Sequence, residues 1–254
     1  MLYPEDSRKE NDKLIRERLV VVSDFDGTLT PVDVGDSIVR HFVGQAAAVW
    51  NDKWINQEIG SQILYREVYR LFEDGERDLE RFIDGFQLDE GLIPMLDFLK
   101  KQGIGFLVTS DGFDFYIDRL FKRSGVNVPV FCNHLTFKDQ RPVVSFPAAN
   151  PLCQRCGTCK AGVVRSLHGR GYQVIYLGDG YSDRYPACFA DLVFAKDTLA
   201  RLCQEHSIHY EPFRSCIDIV KALETKWLQE ATLPGSKHHQ PHRERLPSDS
   251  CVAG

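Results

Sequence analysis

The fold class of this chain follows from the stretch Leu19-Val20-Val21-Val22-Ser23-Asp24-Phe25-Asp26-Gly27-Thr28-Leu29-Thr30. Its apolar, Val-rich start is typical of a strand buried on both faces of a parallel sheet. Residues two apart on a strand point the same way, so Asp24 and Asp26 would project together from its carboxyl end. Ligands bind at that end of open α/β sheets. Two carboxylates held so close need a compensating cation, and a hard divalent ion such as Mg²⁺ can supply it.

Three later segments place further polar residues after predicted strands or at a predicted helix start. They are Ser110-Asp111-Gly112 after the apolar run 106–109, Lys160 at the start of a predicted helix 160–167, and Gly178-Asp179-Gly180-Tyr181-Ser182-Asp183 after the run 174–177. The Ser110 hydroxyl could donate to a phosphoryl oxygen. A lysine at a helix N-terminus is opposed by the helix dipole, which suggests a neighbouring anion near Lys160.

In this order the four segments resemble the signature of the haloacid dehalogenase superfamily, in particular its phosphoserine phosphatase-like branch, over roughly residues 19–225. The resemblance implies a Rossmann-like parallel sheet with helices on both faces and a small helical cap inserted after the first strand. It also implies an aspartyl-phosphate intermediate and a Mg²⁺ cofactor, and the second aspartate favours ester cleavage over dehalogenation. The implied roles are nucleophile for Asp24, general acid and base for Asp26, phosphate binding for Ser110, Asp111, Gly112 and Lys160, and metal binding for Asp24, Asp26, Asp179 and Asp183.

One position departs from that branch, which usually carries Ser-Gly-Gly where this chain has Ser110-Asp111-Gly112. Asp111 adds a negative charge near an anionic substrate. Its side chain must therefore point away from the phosphate or contact a polar part of the ligand.

The resemblance implies a small phosphorylated metabolite as the substrate, and three substrate classes stay open. Cys132-Asn133-His134, the Cys-rich lead into Lys160 and the segment 191–197 resemble the methionine-salvage phosphatases that act on 2-hydroxy-3-keto-5-methylthiopentenyl-1-phosphate, our leading expectation. Phosphoserine phosphatases hold the substrate amine with a Glu where Asp33 stands and the carboxylate with a cap arginine, for which Arg66 and Arg70 are candidates. The segment 36–40 and the same Cys-rich stretch also resemble the phosphoethanolamine/phosphocholine phosphatases.

Two other functions remain possible on the same scaffold. One is a phosphotransferase that passes the phosphoryl group to an alcohol, and the other is a regulatory binding module without turnover. The complete set of acidic, hydroxyl and lysine residues argues against the second.

Composition fits one enzyme domain with an insert. Of the 254 residues, 43% are hydrophobic, which is normal for a globular protein. The net charge of −5 argues against a nucleic-acid partner. No run reaches the roughly 18 apolar residues of a membrane span, and the charged start lacks the apolar core of a signal peptide. We therefore expect a cytoplasmic protein with a small-molecule substrate and no nucleic-acid or membrane partner. The expected divisions are a polar lead-in 1–18, a core domain 19–32 and 88–230, a helical cap 33–87 and a disordered tail 231–254.

The secondary structure is predicted from apolar spacing and from Gly and Pro positions. We expect helices within 36–85, at 89–101 and at 113–123, a β-excursion at 128–146, a strand at 192–195, and a helix capped by Asp197.

Two groups of residues suggest other metals. Cys153, Cys156 and Cys159 could hold a structural zinc ion with Cys132 or His134 as fourth ligand, although reduced cysteines are the default expectation. The histidines of the tail, His238, His239 and His242, more simply form a solvated segment.

Overall fold

The structure is a computed structural model that describes residues 18–153 and 155–227. The predicted lead-in, apart from Arg18, and the predicted tail with its three histidines lie outside the described residues.

Seven strands form one mostly parallel sheet, as the sequence predicted for its core. They are β1 (Leu19–Ser23), β2 (Gly105–Phe113), β3 (Val130–Lys138), β4 (Arg141–Ser145), β5 (Gln173–Gly178), β6 (Leu192–Ala195) and β7 (Glu211–Pro212). Their order in the sheet is β4-β3-β2-β1-β5-β6-β7. The β3–β4 pair is antiparallel, whereas β1–β5, β2–β3, β5–β6 and β6–β7 pair in parallel. The fold is therefore α/β, with an antiparallel hairpin at one edge.

The helices connect these strands. They are α1 (Val34–Phe42), α2 (Ala48–Ile55), α3 (Ser61–Arg70), α4 (Glu76–Ile83), α5 (Leu92–Gln102), α6 (Asp114–Arg123), α7 (Lys160–Gly169), α8 (Arg184–Ala187), α9 (Asp197–Glu205) and α10 (Cys216–Ala222). Short 3₁₀ turns span Gly44–Ala47 and Tyr181–Asp183, and a π-helical turn spans Leu223–Trp227.

Contacts between residues divide the chain into two compact units. In the described residues, one unit contains 18–23, 90–107 and 161–227, and the other contains 24–89 and 108–160 without Gln154. The first unit is built around strands β1, β5 and β6. The second contains helices α1 to α4, helix α6 and the β3–β4 hairpin.

Each unit has its own apolar core. In the first, Val20 and Val22 of β1 pack with Tyr176 of β5 and Val164 of α7. Alternate residues of a strand share a face, so this set explains the Val-rich run of β1. In the second, aromatic rings dominate, and the rings of Phe42 and Phe72 stack with centroids 4.7 Å apart.

Most predicted elements are present, with shifted ends. The helix expected from residue 89 begins at Leu92, after Gly91 as N-cap, and is followed by left-handed Gly103, as expected. The helix expected from residue 113 begins one residue later, because Phe113 still belongs to β2. The β-excursion is confirmed as the β3–β4 hairpin.

The expected cap at Asp197 is wrong. Lys196 is the N-cap of α9, and no side chain caps this helix. The amide of Leu199 donates instead to the carbonyl oxygen of Asp179 at 2.7 Å. The backbone of the preceding acidic loop thus satisfies a donor that a capping carboxylate would otherwise take.

Candidate active site

Asp24 follows the last residue of β1 and is buried against a lysine. Its Oδ2 lies 2.7 Å from Nζ of Lys160, and both side chains are buried. Its Oδ1 accepts from the amide of Phe25 at 2.7 Å. Lys160 is the first residue of α7, where the sequence predicted it. A buried carboxylate and a buried ammonium group at this distance compensate each other, and the carboxylate has little freedom to rotate.

Asp26 is held by four donors. Its Oδ1 accepts from the amides of Val34 and Gly35 at 3.1 and 3.0 Å, which belong to the first turn of α1. Its Oδ2 accepts from the Tyr116 hydroxyl at 2.6 Å and from Ser110 Oγ at 3.4 Å. Burial raises the pKa of Asp26 above its usual value, although these hydrogen bonds and the charge of Lys160 act in the opposite direction. A carboxyl with a raised pKa is suited to donate a proton.

The hydrogen bond between Tyr116 and Asp26 requires a residue without a side chain at position 112. A Cβ atom at Gly112 would lie 1.9 Å from the Tyr116 hydroxyl and 2.4 Å from Asp26 Oδ2. Its amide donates to Ser110 Oγ at 2.9 Å, which orients that hydroxyl. The Ser-x-Gly spacing therefore has a steric reason at its third position.

Asp111, the departure from the family pattern, contacts the loop that precedes Lys160. Its Oδ1 accepts from the Thr158 amide at 2.8 Å, and its carbonyl oxygen accepts from Asn133 Nδ2 at 2.5 Å. Thr158 Oγ1 donates to Asn133 Oδ1 at 3.3 Å. A Cβ atom at Gly157 would lie 2.6 Å from the side chains of Asn133 and Asp111. All three polar side chains are buried. One oxygen of the unexpected carboxylate thus braces the backbone two residues before Lys160.

Asp183 organises the acidic loop after β5. Its Oδ2 accepts from the amides of Asp179 and Gly180 at 3.1 and 3.0 Å, and its Oδ1 accepts from the Tyr176 hydroxyl at 2.6 Å. A Cβ atom at Gly178 would lie 2.7 Å from its carboxylate. Asp183 therefore fixes the loop that carries Asp179.

Strand register accounts for a group of three carboxylates. Ser23 of β1 pairs with Leu177 of β5, so Asp24 and Asp179 leave neighbouring strands at the same edge. One carboxylate oxygen of each of Asp24, Asp179 and Asp183 lies within 4.8 Å of the others. Among the described residues, these three carboxylates form the group whose oxygens converge closely enough to hold a metal ion. A buried set of oxygen donors fits Mg²⁺.

The three residues considered for substrate specificity have other contacts. The Asp33 side chain caps α1 by accepting from the Asp36 amide at 2.7 Å. The Arg66 guanidinium lies over the Phe146 ring, 5.3 Å from its centroid. Arg70 is exposed and pairs with Glu67 at 2.9 Å.

Sequence reasoning missed three tyrosines that lie near the candidate carboxylates. Tyr116 of α6 contacts Asp26, and Tyr65 and Tyr69 of α3 pack against Phe113 with ring centroids 5.1 and 4.9 Å apart. Helical aromatics at spacing of four are most often core residues, so the sequence carried no signal for their hydroxyls.

None of the described cysteines forms a disulfide. Cys153, Cys156 and Cys159 do not form a converging ligand group within the described residues. Burial raises the pKa of Cys132 to about 12, with further contributions from the charges of Asp114, Asp118 and Asp26. The zinc site remains a prediction without a geometric observation in its favour.

Comparison with known proteins assigns the family. The model of the haloacid dehalogenase-like hydrolases matches residues 21–185, which include both acidic motifs and Lys160. The chain belongs to the haloacid dehalogenase-like hydrolases. A 2-hydroxy-3-keto-5-methylthiopentenyl-1-phosphate phosphatase of Bacillus thuringiensis is 30% identical over 84% of this chain and 98% of its own length. The corresponding Bacillus pumilus protein is 29% identical over 79% and 88%.

Solved structures share the fold. A phosphoserine phosphatase with a phospho-aspartyl intermediate analogue superposes with a TM-score of 0.61 at 19% identity, covering 80% of this chain and 98% of its own. Cytosolic 5′-nucleotidase IIIB bound to cytidine gives 0.60 at 16% identity, with 91% and 93% covered. The family and these relatives make the chain a phosphatase. In the described residues, no helix has the length and apolar character needed to cross a bilayer.

Proposed function

We propose that this hydrolase cleaves a phosphate monoester through an aspartyl-phosphate on Asp24. The observation that carries the proposal is the buried Asp24–Lys160 pair at 2.7 Å beside a half-buried Asp26 whose pKa is raised. The lysine holds the carboxylate and would also neutralise an arriving phosphoryl group. A proton donor and a nucleophile are thus supplied by residues two apart at one strand end.

The reaction would take two balanced steps. A carboxylate oxygen of Asp24 attacks phosphorus, the bond to the ester oxygen breaks, and protonated Asp26 gives its proton to the departing alkoxide. Water then attacks the aspartyl-phosphate and gives a proton to the Asp26 carboxylate. The phosphorus–Asp24 bond breaks, which releases phosphate and restores both side chains. Ser110 and the amide at Gly112 would bind phosphoryl oxygens.

Mg²⁺ is the cofactor that the acidic group fits. We propose that Asp24, Asp179 and the backbone carbonyl of Asp26 would hold it, while Asp183 orients the loop. When bound, the ion supplies charge neutralisation for an in-line phosphoryl transfer.

For the substrate we propose 2-hydroxy-3-keto-5-methylthiopentenyl-1-phosphate, the ester of methionine salvage. Relatives named for it match most of this chain at 29 and 30% identity. Phosphoserine carries a carboxylate, and both candidate arginines of α3 are engaged elsewhere, over Phe146 and with Glu67. The leaving group of the proposed ester has no charge and needs no arginine.

Phosphoethanolamine or phosphocholine is the second candidate. The charges of Asp111 and Asp33 act on the Tyr65 phenol and contribute to its raised pKa. Carboxylates beside aromatic rings favour a cationic group.

We also propose that helices α1 to α4 act as a cap that excludes water during the reaction.

The test compares the kinetics of hydrolysis of four esters in the presence of Mg²⁺. They are 2-hydroxy-3-keto-5-methylthiopentenyl-1-phosphate (the enol-phosphate), phosphoserine, phosphocholine and phosphoethanolamine. We expect the highest kcat/KM for the enol-phosphate, by tenfold or more. A tenfold preference for another ester rejects the proposed substrate. Product analysis with added alcohols separates hydrolysis from phosphotransfer, and complete loss of turnover is expected for Asp24→Asn. Turnover retained in that variant contradicts the aspartyl-phosphate.

A further inference from the structure

Two tyrosines of helix α3 lie beside the catalytic carboxylates without a role in the steps above. The ring of Tyr65 meets Phe113 edge-on at 5.1 Å, and that of Tyr69 meets it at 4.9 Å. Phe113 directly follows Gly112, whose position is limited by Asp26 and Tyr116. The two rings are thereby placed next to the proton donor.

In the part of the chain that the structure describes, neither hydroxyl makes a hydrogen bond, and neither oxygen is among the fully buried polar atoms that lack a partner, so both are open to solvent. Tyr69 is only 2% exposed and packs against Phe113, and a tyrosine in such a position usually uses its hydroxyl in a hydrogen bond. The nearby Tyr116 hydroxyl shows the normal behaviour, since it donates to Asp26 at 2.6 Å. The two hydroxyls of α3 are therefore available to a ligand.

The surrounding charge defines which ligand chemistry fits. Burial raises the pKa of Tyr65 and of Tyr69, and the charges of Asp26 and Asp33 add to this effect. Both phenols accordingly keep their protons at neutral pH and act as donors. The contributing neighbours are acidic, and Asp111 adds a further carboxylate near Tyr65. A second anionic group on the substrate would be repelled here.

We propose that the hydroxyls of Tyr65 and Tyr69 donate hydrogen bonds to uncharged acceptor oxygens of the leaving group, while their rings cover its carbon chain. This assignment rests on the proposed phosphatase reaction and makes the two tyrosines specificity-determining residues for keto- and hydroxyl-bearing esters. A trimethylammonium group has no acceptor to receive these bonds, and a carboxylate meets the neighbouring acids. The same arrangement thus disfavours phosphoserine, and with phosphocholine it leaves these two hydrogen bonds unmade.

The experiment compares two probes of equal carbon number, dihydroxyacetone phosphate, which has keto and hydroxyl oxygens, and propyl phosphate, which has neither. In Tyr69→Phe and Tyr65→Phe we expect kcat/KM for dihydroxyacetone phosphate to fall roughly 5- to 30-fold, the effect of losing a hydrogen bond to the substrate, while propyl phosphate is hydrolysed at the wild-type rate. Tyr172→Phe, on the loop between α7 and β5, is the matched control and should leave both rates unchanged.

A hydroxyl with only a structural role would give a different pattern. Its loss would lower both rates equally or lower the melting temperature, and either result overturns the inference, as does an unchanged ratio of the two probes. The wild-type rate on the enol-phosphate is measured in parallel. A wild-type enzyme that fails on the enol-phosphate but shows the expected probe ratios rejects the methionine-salvage substrate and supports the role of the tyrosines.

Discussion

At the scale of single residues, Asp26 combines a half-buried position with four hydrogen-bond donors. The same contacts that fix its carboxylate leave one oxygen, Oδ2, facing the hydroxyls of Tyr116 and Ser110. An amide at this position would keep the shape and most of the hydrogen bonds but could not transfer a proton.

We therefore expect Asp26→Asn to lower kcat for an alkyl phosphate by about 10²- to 10⁴-fold, the usual contribution of general acid catalysis. p-Nitrophenyl phosphate should lose much less in its first step, because its leaving group departs without protonation. Burst-phase measurement of nitrophenol release separates that step from hydrolysis of the intermediate. Equal losses for the two esters in the first step would contradict the acid role of Asp26.

Asp111 offers a second prediction at this scale. In Asp111→Ala the buried amide of Thr158 loses its acceptor, which costs about 1–3 kcal/mol of unfolding free energy. We expect kcat to fall as well, because Thr158 lies two residues before Lys160. Urea unfolding and steady-state kinetics provide the measurements.

Asp97→Ala is the control for that experiment, since Asp97 is an exposed carboxylate on α5. It should change neither the free energy of unfolding nor kcat noticeably. If Asp111→Ala behaves like Asp97→Ala, the bond to Thr158 does not brace the lysine loop.

The sequence predicted the charged residues of the candidate site but not their hydrogen-bond partners. Asp24, Asp26 and Lys160 follow apolar runs or begin a helix, so their positions could be inferred from local pattern. Asp111 was recognised as a departure that had to avoid the phosphate, but its partner Thr158 is 47 residues away and gives no local signal. The role of Tyr116 was invisible for the same reason.

At the scale of elements, the β3–β4 hairpin shows how a turn sets register. Lys138 pairs with Arg141, so the loop consists of Asp139 and Gln140 alone. Both have positive φ, 51° and 63°, as a type I′ turn requires. The sequence predicted a β-excursion here from its prolines but not this turn, because Asp-Gln lacks the glycine that usually marks it.

Gln140→Gly should consequently stabilise the protein by up to about 1 kcal/mol, since glycine adopts positive φ without strain. Chemical unfolding monitored by circular dichroism measures the change. Gln140→Val serves as the opposite test, because a β-branched residue is strained at positive φ and should destabilise the hairpin. A loss of stability in the glycine variant would show that the Gln140 side chain matters more than its backbone.

At the scale of the whole molecule, the fold could be predicted because its determinants are local. Each acidic or hydroxyl motif directly follows an apolar strand, and parallel strands bring their carboxyl ends to one edge. Helix boundaries were less predictable where a residue serves two elements, as Phe113 does at the end of β2 and the start of α6. The Asp197 cap failed because backbone from a distant segment took its place.

The Mg²⁺ site proposed at Asp24, Asp179 and Asp183 would link the stability of the whole protein to a cation. Without an ion, three carboxylates within 4.8 Å repel one another, and the charge of Lys160 offsets part of that repulsion. An ion that binds only the folded state stabilises it by mass action, by about 2.7 kcal/mol at 100 times its dissociation constant. We therefore expect Mg²⁺ to raise the melting temperature and a chelator to reverse the shift.

Asp179→Asn separates the effect of carboxylate repulsion on stability from the effect of Mg²⁺ binding. The variant removes one repelling charge and one ligand, so its melting temperature without Mg²⁺ should be higher than that of the wild type, while its shift with Mg²⁺ should largely disappear. Asp97→Asn, which changes charge equally but lies on the exposed face of α5, should keep the full shift. Differential scanning calorimetry with and without chelator measures both effects. A full Mg²⁺ shift in Asp179→Asn would mean that the ion binds elsewhere, because a site deprived of a charged ligand cannot retain the same differential affinity.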